Sequence, residues 1–280
     1  MFTTPYVLRA LKALSIRAAN DPIDPLLRGW EWHHPPIKPR AYLGLSVSDI
    51  ASKYCPVRMD LWLRRKEGFK PRVSMEMNHG LIVHKMIDYI YRGVAREILD
   101  GKEPFETIES LKDPPESVAG DERLRQLYEL LLISIVGTVM AESLLNGGII
   151  PPPIITEYRV DGSRLGLSTG LRVDAISHGV IVEFKTGSPR DFHRLSLAGY
   201  ALALESYYEI PVDYGLLVYI RLPDNGRPYI HYKPIYIDSS LRKWFLMERD
   251  EIIDMLLNDE KPQRPASCPA NCPYREVCWK

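Results

Sequence analysis

Gly170-Leu-Arg-Val-Asp174-Ala-Ile-Ser-His178-Gly179-Val-Ile-Val-Glu183-Phe-Lys185 is the stretch on which the fold turns. His178-Gly179 sits between two apolar, β-branched runs, which predicts a two-residue hairpin loop. Counting outward, Ser177 faces Val180, Ile176 faces Ile181, Asp174 faces Glu183 and Arg172 faces Lys185. Period-two geometry puts Glu183 and Lys185 on one face. Opposed β-carbons lie about 5 Å apart, and two carboxylates that close repel, more so when buried. A divalent cation removes the conflict, because carboxylate oxygens suit Mg²⁺ or Mn²⁺. A lysine alongside then positions or deprotonates water, or holds a phosphate. The plainer reading is a solvated strand face of mixed charge; the predicted register favours the site.

Outward from the hairpin, the expected strands are Thr156 to Asp161, Gly170 to Ile176, Val180 to Thr186, Val212–Arg221 and Tyr229–Ile237. Expected helices run from Ser46, from Ser74 to Leu99, from Asp121 to Asn146 (capped by Gly147-Gly148), from Ser188-Pro189 to Tyr208, and from Ser239 to Leu257. The fold class is therefore α/β, with a helical N-terminal part ahead of the strands. The expected division is an extension over residues 1–45, a helical part over 46–150, a core over 151–238, and a last helix and tail over 239–280.

The 280 residues carry 36 basic and 36 acidic side chains, so nucleic-acid binding would need a local patch rather than a global charge. No signal peptide is read at the start. The longest apolar run, Leu130 to Ala141, is too short for a bilayer. The expectation is a cytoplasmic protein with no membrane partner.

Other residues carry candidate chemistry. Gly80 and His84 share a helix face; a lone histidine is ordinarily a satisfied core residue, and His84 matters only as a third ligand beside Asp174 and Glu183. His193, Ser196 and Tyr200 share a face of the helix after the lysine strand. Tyr200 would bind a phosphate or water there, or else be a satisfied core tyrosine. Cys268, Cys272 and Cys278 cluster near the end, with Cys55 far upstream. Four thiolates suit zinc or an iron–sulfur cluster, and a disulfide stays as an alternative. Arg58, Arg64, Arg65, Lys66, Lys70 and Arg72, interleaved with Trp62 and Phe69, form either a strand-tracking basic strip or a solvated helix face.

The ordered set Ser-Val-Ser-Asp-Ile-Ala-Ser-Lys-Tyr-Cys55-Pro-Val-Arg58, Gly80-x3-His84, Arg-Val-Asp174, Glu183-Phe-Lys185, His193…Tyr200 and three terminal cysteines resembles the RecB-like nucleases with a four-cysteine iron–sulfur cluster. Among these it most resembles the CRISPR-associated family-four nucleases, in particular the archaeal subtype I-A branch. The resemblance implies a PD-(D/E)xK restriction-endonuclease-like core. It implies His84, Asp174 and Glu183 as metal ligands, with the Phe184 carbonyl a fourth, and Lys185 as the catalytic lysine. It implies a [4Fe–4S] cluster on Cys55, Cys268, Cys272 and Cys278. The implied activity is an Mg- or Mn-dependent deoxyribonuclease on single-stranded or overhanging DNA, trimming spacer precursors beside the CRISPR integrase and other adaptation proteins. The family's glutamine four residues before the tyrosine is Ser196 here, and the usual two-residue cysteine spacing is three between Cys268 and Cys272. The alternatives are a non-catalytic DNA-binding Fe–S scaffold subunit and a RecB-like repair nuclease outside CRISPR.

Overall fold

A computed structural model describes residues 5–71, 74–145, 147, 154–223, 226–268 and 272–279. Its centre is a mixed five-stranded sheet in the order β1 (Ile155–Val160), β2 (Leu171–Ser177), β3 (Val180–Lys185), β4 (Tyr214–Arg221), β5 (Tyr229–Tyr236). Neighbours are antiparallel except β3 and β4, which run parallel. Among the described residues the helices are α1 (Pro5–Asn20), α2 (Val47–Ala51), α3 (Met59–Arg65), α4 (Met75–Leu99), α5 (Pro104–Ser110), α6 (Glu116–Ala119), α7 (Glu122–Leu145), α8 (Arg194–Tyr208), α9 (Ser239–Leu257) and α10 (Arg275–Cys278).

The expected hairpin forms. His178 (φ 50°) and Gly179 (φ 76°) both take positive φ, as a type I′ turn requires. Ser177↔Val180, Ile176↔Ile181 and Ala175↔Val182 pair as counted. The ladder then stops, so Asp174 with Glu183 and Arg172 with Lys185 are not rungs; Arg172 pairs with Arg159 of β1 instead.

Helices cover the two faces of the sheet with separate cores. The first gathers Val173, Ile181, Leu217 and Tyr219 against α2, α3, α8 and α9. The second gathers Ala175, Val182, Phe184 and Val218 against α4 and α7. Strict alternation would place Val173 and Ala175 on one face, yet they enter opposite cores. Tyr158 and Ile154 of the neighbouring strand region divide the same way. The alternation of both strands inverts at one level, Glu157 and Asp174, where Glu157 has φ 50°. A left-handed non-glycine residue costs about 1–3 kcal/mol and persists only where its surroundings over-determine it.

The helix expected from Ser46 toward Arg65 is two helices. Ser46 caps α2 in a reciprocal box with Asp49, and Pro56 and left-handed Arg58 (φ 62°) break the chain before α3. α8 begins at Arg194, five residues beyond the Ser188-Pro189 start, after a 3₁₀ turn at Asp191–His193. α5 and α6 were not anticipated. Gly147 has the expected positive φ, whereas Asn146 and Gly148 lie outside the described residues. α7 is longer than its 12-residue apolar run and is long and apolar enough, by length and composition, to cross a membrane. Seven of its side chains, from Leu124 to Val136, are buried in the second core.

Residues 21–45 carry no sequence signal but build the first core through Ile23, Leu27, Ile37 and Leu45. They are anchored by Glu205 of α8, fully buried, whose carboxylate accepts from Arg242 (2.7 and 2.9 Å), Arg28 (2.9 Å), the Gly29 N–H (2.8 Å) and the Val212 N–H (3.1 Å). Gly29 must be glycine, since a β-carbon there would sit 2.1 Å from the Leu202 carbonyl. Removing one partner of a buried pair strands the other charge. Glu205→Ala is expected to lower unfolding free energy by about 3–5 kcal/mol, read as a drop in the urea midpoint at unchanged slope.

Candidate functional site

Four elements converge at the level where β2 and β3 separate. β2 supplies Asp174, β3 supplies Glu183 and Lys185, α4 supplies His84 and β1 supplies Glu157. Asp174 Oδ2 accepts the Phe184 N–H at 2.8 Å, taking the place of a ladder bond. Its Oδ1 lies 3.5 Å from His84 Nδ1. Lys185 Nζ donates to Glu183 Oε1 at 2.6 Å. Glu183 is 5 % exposed, and its Oε2 has no hydrogen-bond partner among the described residues.

Electrostatics make this cluster tense. Burial, then the Asp174 charge, push the Glu183 carboxyl above its ordinary range, while Lys185 and His84 pull it back. Burial alone would lower Lys185, but Glu183 and Asp174 hold it above its usual value. The lysine is therefore an ammonium at neutral pH and suits holding an anion rather than taking a proton. Burial likewise opposes charging His84, and Asp174 outweighs it, leaving a net upward shift. Burial and the charges of Glu183, Asp174 and Glu157 push Tyr200 well above its ordinary pKa, so it stays an O–H donor facing the carboxylates.

The donor set fits a divalent cation. Carboxylate oxygens of Asp174 and Glu157 lie near an imidazole nitrogen of His84, and one buried Glu183 oxygen has no hydrogen-bond partner among the described residues. The structure thus brings Asp174, Glu183, Lys185 and His84 together, with the Tyr200 hydroxyl within reach of the carboxylate charges. Phe184 turns its N–H to Asp174 and its ring into the second core, 6.1 Å from the His84 ring. Gly80 is close to the site but not cramped, since an added β-carbon would meet Thr186 Oγ1 at 3.4 Å.

Two helix-face expectations are corrected. Ser196, buried, donates its Oγ–H back to the His193 carbonyl at 2.7 Å. His193 is a buried connector, bonded to the hydroxyls of Tyr54 (3.0 Å) and Tyr219 (3.2 Å), and burial lowers its pKa to about 4.

The basic strip is spent internally. Arg58 donates to Glu248 at 2.6 Å and to the carbonyls of Ile50 and Ser52. Arg64 and Arg65 both hold buried Asp49, Lys66 pairs with Asp259, and Trp62 is buried. Lys70 is exposed, and Arg72 lies outside the described residues. Further exposed cations sit beside the candidate site. A cavity of about 650 Å³ runs past His84 and Glu157 and is flanked by Lys85, Arg92, Arg159 and Arg172. Glu157 was missed because only the β1–β2 register places it opposite Asp174; its strand sequence looks ordinary.

All four cysteines are free thiols, so the disulfide alternative is not realised. Cys55 lies between α2 and α3, and the tail brings Cys268, Cys272 and Cys278 to it. Burial, then the neighbouring Cys272, push the Cys268 thiol up to about 11, with Cys278 and Cys55 adding to the shift. Burial and Cys55 raise Cys278 as well. A gathering of four sulfurs in which Cys268 and Cys278 resist ionisation fits a cationic metal or cluster.

Residues 1–280 match the family described as CRISPR-associated exonuclease Csa1. A protein named CRISPR-associated exonuclease Csa1 from Thermoproteus tenax is 30 % identical over 287 residues, covering 99 % of each chain. A protein of the same name from Saccharolobus solfataricus is 34 % identical over 275 residues, covering 91 % of this chain and 92 % of its own.

The shifted groups set a pH dependence. A raised histidine pKa means that His84 adds stability below its unfolded value of 6.5, lost as pH rises through the folded value. A raised carboxyl pKa means that Glu183 destabilises the fold above its unfolded value of 4.5. Both act in one direction. The melting temperature of metal-free protein is expected to fall from about pH 5 to about pH 8, and His84→Ala to flatten the upper half of that fall, by scanning calorimetry.

Proposed function

The chain belongs to the CRISPR-associated exonuclease Csa1 family, and from that membership and the site geometry we propose that it is a Mg²⁺- or Mn²⁺-dependent DNA nuclease with a PD-(D/E)xK core. The observation that carries the reading is Glu183. It is a buried carboxylate with one oxygen on Lys185 and the other unpartnered, beside Asp174 and His84. His84, Asp174, Glu183 and the Phe184 carbonyl would hold the cation. Bound there, it would supply Lewis acidity toward a phosphate oxygen and lower the pKa of water.

The side chains do the rest. Glu183 fixes the Lys185 ammonium, which pairs with a non-bridging oxygen of the scissile phosphate and stabilises charge developing on it. The Tyr200 hydroxyl offers a second donor. Lys85, Arg159 and Arg172 are exposed around the cavity beside His84 and suit neighbouring phosphates of a single strand or overhang. Cys55, Cys268, Cys272 and Cys278 would carry a [4Fe–4S] cluster that fastens the tail to the α2–α3 loop. Within CRISPR, the reaction would trim spacer precursors during adaptation, in the company of the integrase. The cytoplasm is the proposed compartment.

End-labelled single-stranded DNA is expected to shorten with Mn²⁺ or Mg²⁺ and to persist with chelator. Lys185→Ala should slow shortening by about 10²-fold or more. Equal slow loss with both proteins would favour the non-catalytic DNA-binding scaffold, for which the buried Ser196 speaks. Anaerobically purified protein should be brown, with about four irons per chain by elemental analysis; stoichiometric zinc without iron would overturn the cluster.

A further inference from the structure

We infer that Glu157 is a ligand of the divalent cation, forming with His84 and Asp174 a coordinating edge on the α4 side of the site. The inference rests on the cation-dependent reading above and adds to it a residue that neither the motifs nor the family resemblance single out.

One carboxylate oxygen of Glu157, one imidazole nitrogen of His84 and one carboxylate oxygen of Asp174 all lie within 4.8 Å of one another. Ligands about 2.1 Å from a shared ion are separated by up to about 4.2 Å, so small side-chain adjustments bring the three onto one cation. Glu183 of β3 lies within electrostatic reach of Asp174 and His84. Its Oε1 is committed to Lys185, while its Oε2 is buried, unpartnered, and feels the charges of Asp174 and His84. That orphaned oxygen is the independent sign that a positive group belongs between these side chains.

The backbone supports the assignment. Glu157 takes φ 50° within β1, at the level where the alternation of β1 and β2 inverts. The competing account is an ordinary cross-strand ion pair, since Arg172 lies 3.4 Å from Glu157. Arg172 is 58 % exposed, however, and such pairs contribute little. A surface pair does not require His84 and Asp174 to sit alongside.

The test is a Mn²⁺ titration of the purified full chain, following the electron paramagnetic resonance signal of free Mn²⁺. It compares wild type with Glu157→Gln, Glu183→Gln and Arg172→Ala, with metal-free melting temperatures measured in parallel. Glu157→Gln is expected to raise the Mn²⁺ Kd at least tenfold without lowering the metal-free melting temperature, because it relieves carboxylate repulsion. Arg172→Ala is expected to leave the Kd within twofold. If Glu157→Gln does not fold, Glu157→Asp, which withdraws the carboxylate by one methylene, should show the same direction of change. The inference is overturned if Glu157→Gln binds Mn²⁺ as wild type does while Glu183→Gln binds it weakly. It is also overturned if Arg172→Ala weakens binding as much as Glu157→Gln. If neither Glu157→Gln nor Glu183→Gln changes Mn²⁺ binding, the cation-dependent reading itself fails.

Discussion

One hydrogen bond sets the geometry of the centre: the Asp174 carboxylate accepts the Phe184 N–H where the hairpin ladder would otherwise continue. A main-chain rung there would zip β2 and β3 to their ends and bury the carboxylates directly against each other. The side-chain bond satisfies the donor while letting the strands part. Asp174 is thereby held with its other oxygen toward His84, and Glu183 and Lys185 stay on the open side. The arrangement collects acids in a poorly hydrated place, balanced without a cation only by Lys185 and a raised His84. Buried charge networks of this kind cost stability and mark sites of chemistry.

The scaffold makes that position rigid. α8 packs across the sheet with Tyr200 facing the carboxylates and, one turn further on, Glu205 gripping Arg242, Arg28 and the Gly29 backbone. The helix that orients the site is thus pinned by the N-terminal segment and by α9. Arg249, fully buried, adds bonds to the carbonyls of Pro36 and Ile37. A second link runs from the cysteine region. Tyr54 precedes Cys55 and bonds His193, which in turn bonds Tyr219 of β4. Tail, α2–α3 loop and candidate site therefore share one continuous set of contacts. The arginines beside Cys55 serve this framework, with Asp49 taking two of them, while other exposed cations line the cavity by His84.

Much of this was legible in the chain, because the signals involved are local. His178-Gly179 specified its turn and thus the first three rungs of the hairpin; Ser46 and Ser74 marked helix starts; and the order of Gly80, His84, Asp174, Glu183, Lys185 and Tyr200 pointed to one site. What was not legible came from partners distant in sequence. The basic run after Cys55 reads as a nucleic-acid track until Glu248, Asp259 and buried Asp49 claim its charges. Ser196 looks inward by periodicity, yet its hydroxyl finds the nearer carbonyl of His193.

The sequence by itself determined the α/β alternation, the hairpin, the acid–lysine pair and the four thiols, since side-chain period, turn chemistry and residue type act over a few neighbouring positions. Tertiary structure alone decided that Asp174 leaves the hairpin ladder, that Glu157 comes close to His84 and Asp174, and that a featureless N-terminal stretch becomes core. Those outcomes depend on which buried donors, acceptors and charges find partners across long loops, and no local pattern encodes that pairing.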